Sequence, residues 1–265
     1  KIDDNNGILK QYENYLITTS TSSGKTIIAI FFISQYLDRI KDGTIVYVVP
    51  MKSLGNEKYN EFSELFNEIC SVHLIMGNEE KYMKNNFNKN LLITTNEKFD
   101  QLLRNDENIK DIKCVVFDEL HLLNSNRGIT LEWCLAKIKS LKIPHMGLSA
   151  TISNAQEIAN WMDAGLITST FRPIPIKYGF INESIYFINN HKKFESSFSL
   201  PVEYQTISDS FLENFLIYCI ENNEYILCFK NSRSTVFSLA KKILAHMKKK
   251  RKEKLLTLKL PEIKG

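Results

Sequence analysis

The 265 residues are 43% hydrophobic and 24% charged, the balance of a folded chain with a substantial core, which excludes a disordered or fibrous protein. The formal net charge of +4 is too mild by itself to mark a nucleic-acid binder. No apolar run reaches the roughly 18–20 residues that a membrane span needs, so no membrane association is expected.

Residues 1–14 are polar and carry no apolar signal core, which argues against secretion. In chain order, buried strands are predicted at 15–18, 45–49, 91–94, 114–117 and 145–148. Helices are predicted between and after them at 25–37, 53–69, 96–104, 130–139 and 154–162. Near-continuous apolar strands alternating with helices imply an α/β fold, a parallel sheet covered on both faces. In such sheets the chemistry gathers at the carboxyl ends of the strands.

The rhythm changes after Pro173. Residues 178–187 alternate like a hairpin or edge strand, and 191–199 read as a loop. A helix at 209–220, a strand at 225–229 and a helix at 234–247 then read as the start of a second α/β unit. One strand and two helices are too few to bury a full core, so this second unit is expected to be incomplete. The domain reading is thus 1–177 for a first unit, 178–207 for a hairpin and linker, and 208–265 for a truncated second unit. Five cysteines (Cys70, Cys114, Cys134, Cys219, Cys228) form no CxxC pair, which speaks against a metal cluster or disulfide framework and fits a reducing cytoplasm.

The strongest local motif is Thr19-Ser20-Thr21-Ser22-Ser23-Gly24-Lys25-Thr26, between a predicted strand and a helix. Its second half is the SGKT end of a P-loop, although Thr19 stands where the full pattern has its first Gly. Thr21, Ser22, Ser23, Gly24, Lys25 and Thr26 are the candidate phosphate cradle. Gly24 lets the backbone approach the anion, the helix start offers free N–H groups, and Lys25 reaches the outer phosphates of ATP. The Thr26 hydroxyl suits a Mg²⁺ ligand.

Downstream, Cys114-Val115-Val116-Phe117 runs into Asp118-Glu119-Leu120-His121. Two adjacent carboxylates repel unless a cation or proton relieves them. Asp118 is therefore the candidate second Mg²⁺ ligand and Glu119 the candidate base on the attacking water. His121 lies two residues further on, placed to hydrogen-bond toward a second domain, and Ser149 and Thr151, again after a predicted strand, are small hydroxyl residues that can bond the acidic box and sense a γ-phosphate; all three are candidate coupling residues.

P-loop, acidic box and Ser-Ala-Thr in this order resemble the first motor domain of superfamily two DExH-box helicases. The finer resemblance is to the Ski-like group, and within it to archaeal DNA repair helicases related to helicase Q and to the helicase part of polymerase theta. It rests on Val49-Pro50-Met51-Lys52-Ser53-Leu54 with Glu57-Lys58-Tyr59, similar to motif Ia, and on Thr94-Thr95-Asn96-Glu97-Lys98 with Leu102-Leu103-Arg104, similar to motif Ib. Arg127-Gly128, Gly147-Leu148-Ser149-Ala150-Thr151 and Phe171-Arg172-Pro173 extend it, and Cys228-Phe229-Lys230-Asn231-Ser232-Arg233 is similar to motif IV.

The resemblance implies a RecA-like sheet followed by an incomplete second RecA-like unit, and an ATP- and Mg²⁺-dependent helicase or translocase. It implies that Pro50, Lys52, Ser53, Thr94, Thr95, Asn231, Ser232 and Arg233 touch nucleic acid, with single-stranded DNA favoured and RNA a second candidate. Contacts of this kind hold the phosphate backbone without reading sequence. A cytoplasmic protein is expected, or a nuclear one in a eukaryote.

The chain departs from the pattern in three ways. No Q motif precedes the P-loop, Ser20 stands where the subgroup has Pro, and motifs V and VI with their arginines do not occur. Two other readings remain open. One is an ATP- and nucleic-acid-binding module without hydrolysis of its own, the other a P-loop ATPase that remodels protein. The lysine-rich end around Lys248-Lys249-Lys250-Arg251-Lys252 fits a phosphate-binding stretch or a solvated helix face.

Overall fold

A computed structural model of the chain describes residues 13–21, 23–77, 79–82, 87–105, 109–125, 128–172, 179–182, 184–189 and 193–257. The chain divides into two units, Lys1–Ile174 and Pro175–Gly265.

In the first unit the elements run β1 (Tyr15–Thr19), α1 (Lys25–Arg39), β2 (Gly43–Val49), α2 (Lys52–Phe66), β3 (Ser71–Met76), β4 (Glu79–Tyr82) and β5 (Lys89–Thr95). They continue with α3 (Asn96–Leu102), β6 (Ile112–Phe117), a 3₁₀ turn (Leu120–Asn124), α4 (Gly128–Ser140), β7 (His145–Ser149), α5 (Ala155–Trp161) and β8 (Gly165–Ser169). The described strands form one eight-stranded sheet in the order β4-β3-β5-β2-β6-β7-β1-β8. Seven are parallel, and β4 pairs antiparallel with β3 at one edge.

Alternation along the strands builds a core on each face. Ile45, Tyr47 and Val49 point to the side covered by α1 and α2, where they pack with Phe32, Ile33, Phe62 and Phe66. Val46 and Val48 point to the other side, where Phe99, Leu131, Leu135 and Met162 of α3, α4 and the end of α5 cover them. The strands are buried on both faces, as the continuous apolar runs predict. At about 25 cal/mol per Å² of apolar surface removed from water, these two layers are the main source of the unit's stability.

The five predicted strands are present, and β3, β4 and β8 are additional. Their sequences explain why they were not legible. β4 is Glu-Glu-Lys-Tyr, a charged edge, and β8 is a five-residue edge that pairs only with β1.

In the second unit, β9 (Gly179–Asn182), β10 (Ser184–Asn189) and β11 (Lys193–Ser199) form a separate antiparallel sheet. The loop expected at 191–199 is corrected here, since its residues 193–199 are a strand. A register shift opposite Ile185 and Tyr186 skips Ser197, and this bulge breaks the period-2 pattern by which a strand is read. Helices α6 (Val202–Gln205), α7 (Phe211–Glu221) and α8 (Arg233–Thr257) follow. The strand expected at 225–229 does not form. Tyr225, Leu227 and Phe229 are exposed, and no described strand pairs with them. Isolated extended chain has no stability without a pairing partner.

Candidate nucleotide and nucleic-acid sites

Sheet order brings the sequence motifs together. The neighbours β6, β7 and β1 carry the acidic pair, Ser-Ala-Thr and the P-loop at their carboxyl ends. Register aligns them, with Thr18 of β1 opposite Ser149 of β7 and Phe117 of β6 opposite Gly147. On the other side of β6, β2 and β5 end together, with Val49 opposite Thr95. One sheet edge therefore carries two adjoining sites.

At the first site the chain leaves β1 through Thr19 and Ser20, both buried. Gly24 turns it into α1 at φ 88°, ψ 23°, a left-handed conformation that costs glycine nothing. No side chain caps the helix start, so it presents a positive dipole end suited to an anion. The Ser23 hydroxyl donates to Ser20 O (2.6 Å) and shares a hydrogen bond with the Thr19 hydroxyl (2.5 Å), closing the loop where the usual first Gly is missing. Lys25 Nζ donates to Thr19 O (3.3 Å) and Ser20 O (3.1 Å), so its charge is held inside the loop. Thr21 Oγ1 accepts from Arg172 (3.5 Å), and the Ser20 hydroxyl donates to Phe171 O (2.6 Å). Ser22 lies outside the described residues.

Asp118 is 7% exposed. Tyr47 OH donates to its Oδ2 (2.8 Å), and the Glu119 N–H donates to its Oδ1 (2.9 Å). Burial raises the Asp118 carboxyl above its usual range; the Tyr47 hydrogen bond opposes this, and the neighbouring Glu119 charge adds to it. The Tyr47 hydroxyl in turn is pushed far up by burial and by the Asp118 charge. Glu119 sits at φ 54°, ψ 46°, a left-handed backbone for a residue with a Cβ. Its Oε2 is 3.1 Å from His121 Nδ1. Hard oxygen donors, the Thr26 hydroxyl and the Asp118 carboxylate, suit Mg²⁺. Ser149 is fully buried, and its hydroxyl finds no hydrogen-bond partner among the described residues. The hydrogen bond from Ser149 to the acidic box that the motif suggests is thus not among those formed here. Thr151 is exposed.

At the second site, Pro50, Met51, Lys52, Gly77, Thr95 and Lys98 line a groove beside α2 and α3. Lys52 and Ser53 are exposed at the start of α2. The Thr95 side chain accepts from the Lys98 N–H (3.4 Å) and so caps α3. Thr94 is a correction. It is 0% exposed and donates to Ile75 O (2.8 Å), so its hydroxyl joins β5 to β3 and does not face a ligand. Gly77 escaped the sequence reading, and Lys98 entered it only as part of the stretch similar to motif Ib. At Gly77 (φ +58°) an added Cβ would come within 3.1 Å of Lys52 Nζ.

In the second unit Asn231, Ser232 and Arg233 are exposed. Ser232 Oγ accepts from the Thr235 N–H (3.3 Å) at the start of α8, an N-cap. Lys242 and Lys250 pair with Glu213 and Glu221 of α7, so part of the lysine-rich helix serves that packing.

A P-loop and an acidic pair on strand ends separated by one strand, in a sheet covered on both faces, define a RecA-like P-loop domain. The DEAD/DEAH box helicase family matches residues 6–158, more than half of the chain, and the chain belongs to that family. Among curated proteins it is similar to the ATP-dependent DNA helicase Hel308 of Methanococcus vannielii, 36% identical over 244 residues that cover 89% of this chain and 32% of that one. It is also similar to the Hel308 proteins of Methanocaldococcus jannaschii (35% identity; 89% of this chain, 20% of that one) and Pyrococcus horikoshii (34%; 95% and 34%). The chain thus spans about a third or less of the length of these relatives. Among solved structures, the Escherichia coli DEAH/RHA helicase HrpB shares the fold, with a TM-score of 0.63 at 16% identity over 90% of this chain and 28% of that one. Among the described residues no helix is long and apolar enough to cross a membrane.

Proposed function

We propose that this chain is the ATP-binding part of a DNA helicase or translocase motor of the repair type. The observation that carries the reading is the alignment of P-loop, acidic pair and Ser-Ala-Thr on three neighbouring strand ends, beside a groove lined by Lys52, Thr95 and Lys98. The relatives named as DNA helicases support DNA over RNA as the partner. In this reading residues 1–177 are the first motor domain, 178–207 a hairpin and linker, and 208–265 the opening of a second. A cytoplasmic or nuclear place follows from the same reading.

Thr21, Ser22, Ser23 and Gly24 offer backbone N–H groups to the phosphates, and Lys25 leaves Thr19 O and Ser20 O to meet the outer ones. Thr26 and Asp118 would hold Mg²⁺, which when bound neutralises charge on the phosphates. Tyr47 orients Asp118. Glu119 takes a proton from the attacking water, with His121 Nδ1 3.1 Å from its Oε2. Lys52, Ser53 and the Thr95 region hold a strand backbone, and Asn231, Ser232 and Arg233 are the candidate backbone contacts within the second unit. Ser149 and Thr151 link the two sites, and the orphaned Ser149 hydroxyl supports a partner that arrives only with ligand.

The test is binding of ATP and of single-stranded DNA by the parent and by Lys25→Ala. The variant is expected to weaken ATP binding by roughly 2–3 kcal/mol, the scale of lost charge-assisted hydrogen bonds. DNA affinity is expected to fall steeply with salt and to vary little with sequence. Equal ATP affinity in the two proteins, or no preference for DNA over RNA, overturns the corresponding part of the reading.

A further inference from the structure

Lys58 is 6% exposed, an unusual burial for an ammonium group. It stands in the second turn of α2, and three oxygens surround it. Nζ donates to Glu61 Oε2 (2.7 Å) and to the Thr26 hydroxyl (3.1 Å), and Glu57 Oε1 lies at 3.9 Å. Glu61, one turn along the same helix, is the nearer counter-ion of the charge, and Glu57 the more distant one. The bond to Thr26 reaches across to a different element, and it occupies a lone pair of the hydroxyl read above as a Mg²⁺ ligand.

Resting on that reading of the P-loop, we propose that Lys58 is a positioning residue that holds the metal site closed until a divalent cation displaces it. A Mg²⁺ ion sits about 2.1 Å from its oxygen ligands, so ion and ammonium on one hydroxyl would lie within a few ångströms of each other and repel. Lys58 has a flexible four-carbon stem and a second partner. It gives up Thr26 and keeps Glu61, whose side chain is 36% exposed and lies towards solvent. The ammonium thus occupies the Thr26 hydroxyl in the nucleotide-free protein and sets how much Mg²⁺ is needed to displace it.

The experiment titrates Mg²⁺ against binding of a fluorescent ADP analogue to the 265-residue chain. A parallel titration in EDTA measures metal-free affinity. Lys58→Met keeps the apolar stem and removes the charge. It is expected to lower the Mg²⁺ concentration for half-maximal enhancement of ADP binding about tenfold, with metal-free affinity unchanged. Glu61→Gln removes the resting place of the displaced ammonium and is expected to shift the same midpoint upward several-fold. That partly exposed position tolerates the change even where Lys58→Met fails to fold. An unchanged midpoint in Glu61→Gln, or an unchanged or raised one in Lys58→Met, overturns the proposal. Loss of metal-free ADP affinity in Lys58→Met also overturns it and makes Lys58 a phosphate contact. A parent that binds no ADP fails the P-loop reading itself, a result distinct from any shift of midpoint.

Discussion

Glu119 holds a left-handed backbone, a conformation costing a residue with a Cβ on the order of 1–2 kcal/mol. The surrounding structure imposes it. The Asp118 N–H donates to Val48 O, the Glu119 N–H is held by Asp118 Oδ1, and Leu120 is buried against the sheet immediately afterwards. A carboxylate at this position is therefore kept against stability, which fits a chemical role. Glu119→Asn tests this, because Asn tolerates the left-handed region. The variant is expected to unfold at higher urea, by roughly 0.5–1 kcal/mol, with nucleotide affinity retained. Its ATP turnover is expected to fall about 10²-fold or more relative to the parent, the loss of a general base. A less stable variant, or one that turns over normally, contradicts the role. His145 gives a second residue-scale prediction. It is 1% exposed, and its ring nitrogens lie 2.9 and 3.1 Å from the carbonyls of Ile143 and Met162. Burial lowers its pKa below the ordinary 6.5 and outweighs the two carbonyls, which favour the charged ring. The unfolded chain then takes up a proton near pH 6.5 that the folded one does not. Stability contributed by the neutral ring is complete above that pH and is lost as pH falls below it, by up to about 1.4 kcal/mol per unit. Urea titrations at pH 7.5 and 5.5 are expected to show a smaller loss on acidification for His145→Gln than for the parent.

Elements carry the next level of constraint. The P-loop lacks its first Gly, yet the turn closes, because Thr19 ends β1 and its hydroxyl bonds that of Ser23 while Lys25 donates to the carbonyls of Thr19 and Ser20. Side-chain bonds replace backbone freedom. No such substitute exists at Gly128, the first residue of α4. An added Cβ there would lie 1.9 Å from Leu123 O, the carbonyl of the 3₁₀ turn that follows Glu119. Gly to Ala in a helix ordinarily gains up to about 1 kcal/mol. Gly128→Ala is expected to lose roughly 2 kcal/mol or more, because backbone must move against backbone. It is also expected to disturb the acidic pair. Thermal unfolding and ADP binding of the variant check both effects; a stabilised variant with normal binding refutes the packing account.

At the scale of the whole molecule the two units differ in what they bury. The first closes an apolar layer on each face of its sheet. In the second, Tyr225, Leu227, Phe229 and Phe237 stand exposed, and the segment before α8 pairs with no described strand. Amide exchange is expected to be slowest in β2, β5 and β6 and fast over 225–230. Protection over 225–230 equal to that of β6 would contradict this. Stabilising positive charge on the outermost phosphate is worth about 10³–10⁵ in rate. Arg233, at the start of α8, and Arg251 are the arginines after residue 174. Neither lies in a motif that supplies that charge. The 265 residues alone are therefore expected to bind ATP and hydrolyse it very slowly, without unwinding duplexes. Robust ATPase activity stimulated by nucleic acid in this chain by itself would show the expectation wrong.

What the sequence by itself determined is the local chemistry. Five buried strands, the P-loop, the acidic pair and the Ser-Ala-Thr turn were all legible, because each is a short contiguous pattern with its own period or spacing. The order of those strands in the sheet was decided only in three dimensions, and that order sets the P-loop of β1 beside Ser149 of β7 and the acidic pair of β6. Tyr47 and Lys58 were invisible as site residues for the same reason. One reads as an apolar strand residue and the other as a helix lysine, until packing carries them to Asp118 and Thr26, 71 and 32 positions away in sequence. Thr94 and the segment at 225–229 went the opposite way. Pairing with a neighbouring strand buries the hydroxyl of Thr94, and the lack of one leaves an apolar run unfolded into a strand. A side chain's partners across a sheet depend on long-range pairing, which no local pattern encodes.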